Sequence, residues 1–329
     1  MSVESDTAPA VPPVVPGHGS GQLEDLLAEP YPRMLMVQTT SRCNSRCMFC
    51  PHAGLRDQLP QGEMAQPLFE SILREAGRHA GHVACVNLFL MNEPLMDPRL
   101  VERVHFAGRQ VPGAQISLWT NGVALSARTT ERLLDSPLTS LGVSLHAHRA
   151  ETYRRITGRR DFARVLRNLV NFVERRNVRR PDLAVVLRYV GAGMLQAEGE
   201  AGELIAFWRD GNVVLDIDDG YLSRAGNLEA PAAVAEPRRW MAGCQALGGP
   251  KQAHILYTGQ LVLCCMDYRR QTDLGDLTRD SLSALWSGPR RRAALEQLYG
   301  VRPAATDFLC ARCELAIPGC GPPDSGPRV

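Results

Sequence analysis

The sequence predicts an α/β fold, a parallel sheet or barrel of six β/α units followed by a small cysteine-rich domain. Three observations carry this. Short apolar runs alternate with amphipathic segments between residues 34 and 218. The composition turns to Ala, Pro and Glu from Asn227 to Arg239. Beyond that lie six of the ten cysteines, from Cys244 to Cys320. Strands alternating with helices point to parallel pairing through helical crossovers.

The elements follow in order. MLMVQTT (34–40) reads as the first strand, Pro67 to His79 has helical periodicity, and VACVNLFLM (83–91) is the second strand. A helix over 98–110 leads to QISLWTNG (115–122), and one over 128–135 leads to SLGVSLHA (140–147). A long helix over 161–176 precedes LAVVLRYV (183–190), and a helix near 197–209 precedes VVLDID (213–218). No repeat of fixed period is evident. The segment from Met1 to about Gln22 is rich in Pro, Gly, Ala and Ser and predicts disorder, with the folded chain drawn from residue 31. Residues 31–227 then form the first domain, 228–239 a linker, 240–321 the second domain and 322–329 a disordered tail. The second domain holds a hairpin-like run (HILYTGQLVLCC, 254–265) and one helix around 280–298. It is small for an unaided core, so a metal staple suits it.

Composition narrows the function. A formal net charge of +2 gives no basic face for nucleic acid. Nearly all the positive charge is arginine, Lys251 being the only lysine, which reads as genomic base bias. No apolar run approaches the ~20 residues of a membrane span. The first residues lack the basic and apolar regions of a secretion signal, so the expected compartment is the cytoplasm. Cysteines in a reducing compartment favour metal ligation over disulfides.

Cys43, Cys47 and Cys50 form C-x3-C-x2-C on the loop leaving the first strand. Three thiolates ligate three irons of a cubane and leave the fourth open, whereas ordinary carriers supply four cysteines. The alternative is a zinc site completed by His52. Cys244, Gly259 and Cys264 form C-x14-G-x4-C, followed by Cys310-Ala311-Arg312-Cys313; four thiolates from two distant halves make a closed metal site. A zinc knuckle is the alternative there. Cys265 is left beside Cys264, and Cys85, in mid-strand, reads as core.

The first cysteine set, with Phe49 just before its last member, resembles the radical S-adenosylmethionine superfamily. The resemblance covers roughly residues 34–320 and implies a partial (β/α)6 TIM-like barrel. It implies a [4Fe–4S] cluster on Cys43, Cys47 and Cys50, whose open iron takes the amino and carboxylate groups of S-adenosylmethionine. Phe49 is then expected near the adenine. Asn92-Glu93-Pro94 resembles the family's Gly-Glu-Pro element, which holds the cofactor's ammonium; here Asn stands for the glycine. Thr120-Asn121-Gly122 is similar to the family's turn after the third strand, and is equally a plain loop turn. Ser144 is expected to contact the ribose or carboxylate. His146 stands where the family commonly has Asp, facing substrate or serving structure. Arg188 points into the lumen toward a carboxylate or phosphate, or snorkels outward. All lie at the C-terminal face, where such folds bind ligands.

The second set resembles the SPASM and "twitch" branches, which carry auxiliary [4Fe–4S] clusters. The short single-cluster form, as in 2-deoxy-scyllo-inosamine dehydrogenase, fits Cys244, Cys264, Cys310 and Cys313; the spacing of Cys320 does not match a second cluster. Cys265 is either a buried small side chain, an alternative ligand, or the hydrogen donor found in epimerases of this branch. The resemblance implies a flavodoxin or ferredoxin as electron donor, while charge and hydropathy point to no nucleic acid and no membrane as partners. The expected substrate is a small polar molecule: an amino sugar, aminocyclitol or nucleoside, dehydrogenated or epimerised. The rivals are maturation of a ribosomally made peptide, whose enzymes often add a leader-binding domain, and a zinc-stapled binding module.

Overall fold

The computed structural model describes residues 20–190, 199–218, 222–229, 234, 236–246 and 249–320. Six strands lie side by side in chain order: β1 (Met34–Val37), β2 (Cys85–Asn87), β3 (Gln115–Thr120), β4 (Ser140–Ser144), β5 (Ala184–Val190) and β6 (Val214–Asp218). Each pairs in parallel with the next. Helices Gln66–Arg78, Leu100–Gln110, Ala127–Leu134, Phe162–Arg179 and Ala201–Trp208 make the crossovers. This is the expected α/β arrangement, a largely parallel sheet of the partial-barrel kind. Most strands are shorter than their apolar runs, because Gln38–Thr40, Leu88–Met91 and Leu145–Ala147 leave the ladder at its C-terminal end. There they form the loops that carry the site.

Alternation of side chains assigns the two faces. Leu118, Val143 and Leu187 are fully buried, while Trp119, Ser144 and Arg188 point to the half-open opposite face, the lumen. Trp119 fits there because β4 carries Gly142: a Cβ at that position would stand 2.3 Å from the indole. An additional helix, Ala150–Thr157, which the sequence reading passed over, lies between β4 and the long helix. The start of the predicted helix near 197 and the tail 322–329 lie outside the described residues.

The C-terminal part differs from expectation in an informative way. The hairpin forms as β8 (Gln252–Ile255) and β9 (Gln260–Val262), antiparallel, with Gly259 at φ +96 in its turn. That left-handed position explains the glycine of C-x14-G-x4-C. But β8 also pairs in parallel with β1, and β10 (Asp273–Asp276) adds to β9, so one nine-stranded sheet runs β10-β9-β8-β1 through β6. Only β7 (Met241–Cys244) and β11 (Ala316–Pro318) form a separate ribbon. Ala253, Ile255, Leu282 and Leu295 belong to the same buried cluster as barrel residues Leu35, Val86 and Leu118. The size problem is therefore met by sharing the barrel's core.

Two further corrections follow from local chemistry. The single helix expected over 280–298 is two, Leu282–Trp286 and Pro289–Leu298, because Pro289 lacks the amide that would continue the first and instead starts the second. Disorder was expected to residue 30, yet Ser20–Ala28 is a helix whose Leu23 and Leu26 are buried. The Trp286 indole donates to the Glu29 carbonyl, and Arg291 donates to the Leu26 carbonyl. Apolar residues two helical turns from the strand outweighed a Pro- and Gly-rich neighbourhood. Part of the expected linker is ordered too: Arg238 donates to the carbonyls of Cys313 and Ala316. Its residues 230–233 and 235 lie outside the described set. Among the described residues no helix is long and apolar enough to cross a membrane.

Candidate active site and cysteine centres

The loop after β1 carries Cys43, Cys47 and Cys50, all free thiols. It is laid along the end of helix Ala150–Thr157, where the amides of Arg46 and Met48 donate to the carbonyls of Thr157 (3.0 Å) and Ile156 (2.9 Å). Arg159 donates to the Asn44 carbonyl, and Asn121 Nδ2 donates to Asn44 Oδ1 (2.6 Å) and Ser45 Oγ (3.0 Å). The three thiols are close enough to perturb one another. Burial pushes Cys43 up to about 12, with Glu93 and Cys50 adding to the rise. Burial also raises Cys47, helped by Cys50 and then Cys43. Such thiols stay protonated until a cation takes the proton's place, as iron would. Among the described residues no three His, Cys, Asp or Glu converge on one point as a single ion requires. His52 Nε2 lies 2.8 Å from the Ser41 carbonyl. A set of three thiols suits a cluster, which spreads its thiolates over several irons.

Glu93 follows β2 and is buried. Its Oε1 accepts from Thr120 Oγ1 (2.6 Å) and the Leu95 amide (3.0 Å), and its Oε2 accepts from the Asn121 amide (2.7 Å). Burial pushes this carboxyl up to about 7 against the pull of those three donors. Asn92 replaces glycine without strain, since the left-handed residue is Met91 (φ 55). Asn92 Oδ1 accepts from the Leu90 amide at 2.9 Å, and its Nδ2 is buried without a partner.

On the lumen face Ser144, Arg188 and Asp216 are in register across β4, β5 and β6. Arg188 pairs with Asp216 at 3.1 Å and lies over the Trp119 ring at 5.9 Å. His146 adopts φ 63 and accepts the Val190 amide at Nδ1 (3.3 Å). Burial, then Arg188 and Arg224, lowers His146 to about 3, so the ring is neutral. It meets Phe49 edge-on at 4.8 Å between centroids, and Phe49 packs with Ile156 and Val190. His146 thus accepts a backbone amide and packs against Phe49.

The second cysteine set lines one cavity. Cys244 ends β7, Cys264 follows β9, Cys310 lies in the 3-10 turn Leu309–Arg312, and Cys313 follows it. Burial raises Cys310, with Cys313 and Cys244 next, and pushes Cys313 up to about 11. The neighbouring Cys265, then burial, raises Cys264, with Cys310 a smaller contributor. Four thiols around an apolar cavity suit an iron–sulfur cluster. Cys320 is exposed and does not line it. Cys265 touches the cavity, yet it also packs beside Leu90, Met91, Leu256 and Val262, the set that Met36 and Tyr268 join. It stands between cavity and lumen. Cys264, then His254, lowers the Cys265 thiol against its burial. Cys85 is buried in β2, as expected of a core residue, 3.5 Å from Ser117 Oγ.

Sequence reading missed Arg159 and Tyr268, and gave Asn121 only a turn. Tyr268 Oη lies 3.7 Å from Cys50 Sγ. None carries a spacing signal, because each partner is distant in sequence.

Residues 37–194 match the family model of the Radical SAM superfamily, and 244–314 match that of SPASM, an iron–sulfur cluster-binding domain. The chain is 36% identical over 142 residues to GTP 3′,8-cyclase 2 of Mycobacterium tuberculosis (strain ATCC 25618 / H37Rv), covering 41% of this chain and 37% of that protein. It is 33% identical over 169 residues to GTP 3′,8-cyclase of Mycolicibacterium smegmatis (strain ATCC 700084 / mc(2)155), covering 51% and 43%. The chain thus spans well under half the length of these relatives. Among solved structures it is similar to BtrN in complex with AdoMet and 2-DOIA, with TM-score 0.53, 18% identity and coverage of 81% and 87%. It is also similar to Streptococcus suis SuiB bound to S-adenosylmethionine, with TM-score 0.60, 15% identity and coverage of 91% and 75%. These likenesses are of fold.

Proposed function

Because this chain belongs to the radical S-adenosylmethionine superfamily and carries a SPASM iron–sulfur domain, we propose that it acts on a small polar molecule. An amino sugar, aminocyclitol or nucleoside is the class intended. Cys43, Cys47 and Cys50 hold the cofactor-binding [4Fe–4S] cluster; Cys244, Cys264, Cys310 and Cys313 hold one auxiliary cluster. Glu93 takes the cofactor's ammonium, and Asn92 Nδ2, buried without a partner, donates to the cofactor's carboxylate; Phe49 lies by the adenine and Ser144 by the ribose or carboxylate. When reduced by a flavodoxin or ferredoxin, the bound cofactor supplies a 5′-deoxyadenosyl radical that removes a hydrogen atom from a C–H bond.

The observation that carries the substrate class is the Arg188–Asp216 pair over Trp119. A cation, an anion and an aromatic face together, half-buried in the lumen, suit a ligand bearing amine and hydroxyl groups on a compact ring. Cys265 supports hydrogen return, giving epimerisation, over dehydrogenation. Once Cys264 ligates iron as a thiolate, Cys265 beside it is the sulfur left to carry a hydrogen. The thiol then gives a hydrogen atom to the substrate carbon, and one electron from the donor protein plus one proton restore it.

The test is substrate-dependent formation of 5′-deoxyadenosine by reconstituted enzyme, with panels of amino sugars, aminocyclitols, nucleosides and short peptides. Stimulation by the first three, with loss of that response in Asp216→Asn, supports the reading. Stimulation by peptides alone overturns it in favour of a peptide maturase.

A further inference from the structure

Tyr268 comes from the turn after β9, yet its hydroxyl lies 3.7 Å from Cys50 Sγ, 218 positions earlier in the chain. Either group could donate between a free thiol and a phenol. Chemistry removes the choice once Cys50 is a ligand: a ligating thiolate has no proton and only accepts, while a phenol at neutral pH keeps its own. The contact does not stand alone. Tyr257 Oη donates to the Pro60 carbonyl (2.9 Å), and its amide donates to Gln38 Oε1 (3.2 Å). Arg224 donates to the Phe49 carbonyl (3.4 Å). Groups from the C-terminal half therefore hold the cysteine loop at both ends, and Tyr268 is the one that reaches a sulfur.

A donor on a ligating sulfur withdraws charge from it and so favours the more negative, reduced cluster; hydrogen bonds to the sulfurs are a lever on potential. We propose that Tyr268 is a positioning and tuning residue: its hydroxyl donates to Cys50 and raises the reduction potential of the cofactor-binding cluster. This rests on the reading that Cys50 is a ligand.

The experiment uses the full-length holoenzyme. Tyr268→Phe keeps the ring packing and removes only the hydroxyl. Potentiometric titration followed by electron paramagnetic resonance, on the signal that changes when S-adenosylmethionine is added, should give a lower midpoint than wild type. Cofactor cleavage should slow several-fold with flavodoxin as reductant and recover with titanium(III) citrate. Tyr257→Phe, which releases the loop contact without touching sulfur, should leave the midpoint unchanged. An unchanged or raised midpoint in Tyr268→Phe, at full iron content, overturns the proposal, as does an equal shift in Tyr257→Phe. Cys50→Ala separates the underlying reading: persistence of the cofactor-sensitive signal there would mean Cys50 is not a ligand, whatever Tyr268 does.

Discussion

Thr120 donates its hydroxyl to Glu93 at 2.6 Å, so the ends of β2 and β3 share one buried carboxylate. The adjacent Asn121 amide donates to the same group, and the Asn121 side chain reaches the cysteine loop. Three separate loops are thereby fixed around a single anion, which is how a cationic ligand group would find its partner already oriented.

The first prediction concerns pH. Burial raises Glu93 to about 7, so below that value the carboxyl is neutral. If it holds the cofactor's ammonium, affinity for S-adenosylmethionine should weaken by about tenfold per pH unit below 7 and level off above it. Glu93→Gln should bind weakly with no such slope. Anaerobic calorimetry between pH 5.5 and 8 measures both. The sign for stability is opposite: a folded value above the unfolded one favours the fold at low pH, and that contribution is lost as pH rises through about 7.

Iron content separates the two centres. Reconstituted protein should hold about eight irons as two cubanes. Replacing Cys43, Cys47 and Cys50 with Ala should leave about half and abolish cofactor cleavage. Cys320→Ala, at an exposed position away from the cavity, should leave the content unchanged. A triple variant that still forms 5′-deoxyadenosine would sink the assignment.

Replacing Cys310 and Cys313 should loosen the protein locally. The ribbon of β7 and β11 and the turn at Leu309–Arg312 surround the cavity, so proteolysis should appear within 236–246 and 300–320. Strands β8 to β10 belong to the barrel sheet and should stay protected. Peptide mapping after brief digestion distinguishes this from unfolding of the whole C-terminal half.

Cys265→Ala should still cleave the cofactor, because hydrogen abstraction precedes any quenching step. Epimerised product should disappear, and wild type run in deuterated water should place one deuterium on the product carbon. Retained product without solvent deuterium would instead mark a dehydrogenase. Loss of a small thiol leaves a slight cavity compared with the ~3–5 kcal/mol of a Leu→Ala change, so the variant should fold. Its iron content checks that Cys265 has no role as a ligand.

Much of the centre was legible because it is local. The C-x3-C-x2-C loop, Glu93 and Thr120-Asn121-Gly122 each sit within a few residues of a strand end, and strand ends follow from apolar periodicity. Gly259 was legible as a motif position, although only the hairpin explains it, through a φ of +96. The helix Ala150–Thr157 was passed over because its apolar residues are few and it follows β4 closely, yet it braces the cysteine loop. The N-terminal helix was missed because its partners, Trp286 and Arg291, lie more than 250 positions away.

By itself the sequence determined the order of the six parallel strands and their crossover helices, the two sets of thiols and the class of chemistry they serve. These depend on spacings of a few residues and on periodicities that any local segment displays. Tertiary structure alone decided that β8 joins β1, that Arg188 meets Asp216, that Cys265 stands between cavity and lumen, and that Tyr268 reaches Cys50. Each of those pairings needs strands in register or a long loop closed, and a shift of one residue in a strand would turn every side chain to the other face.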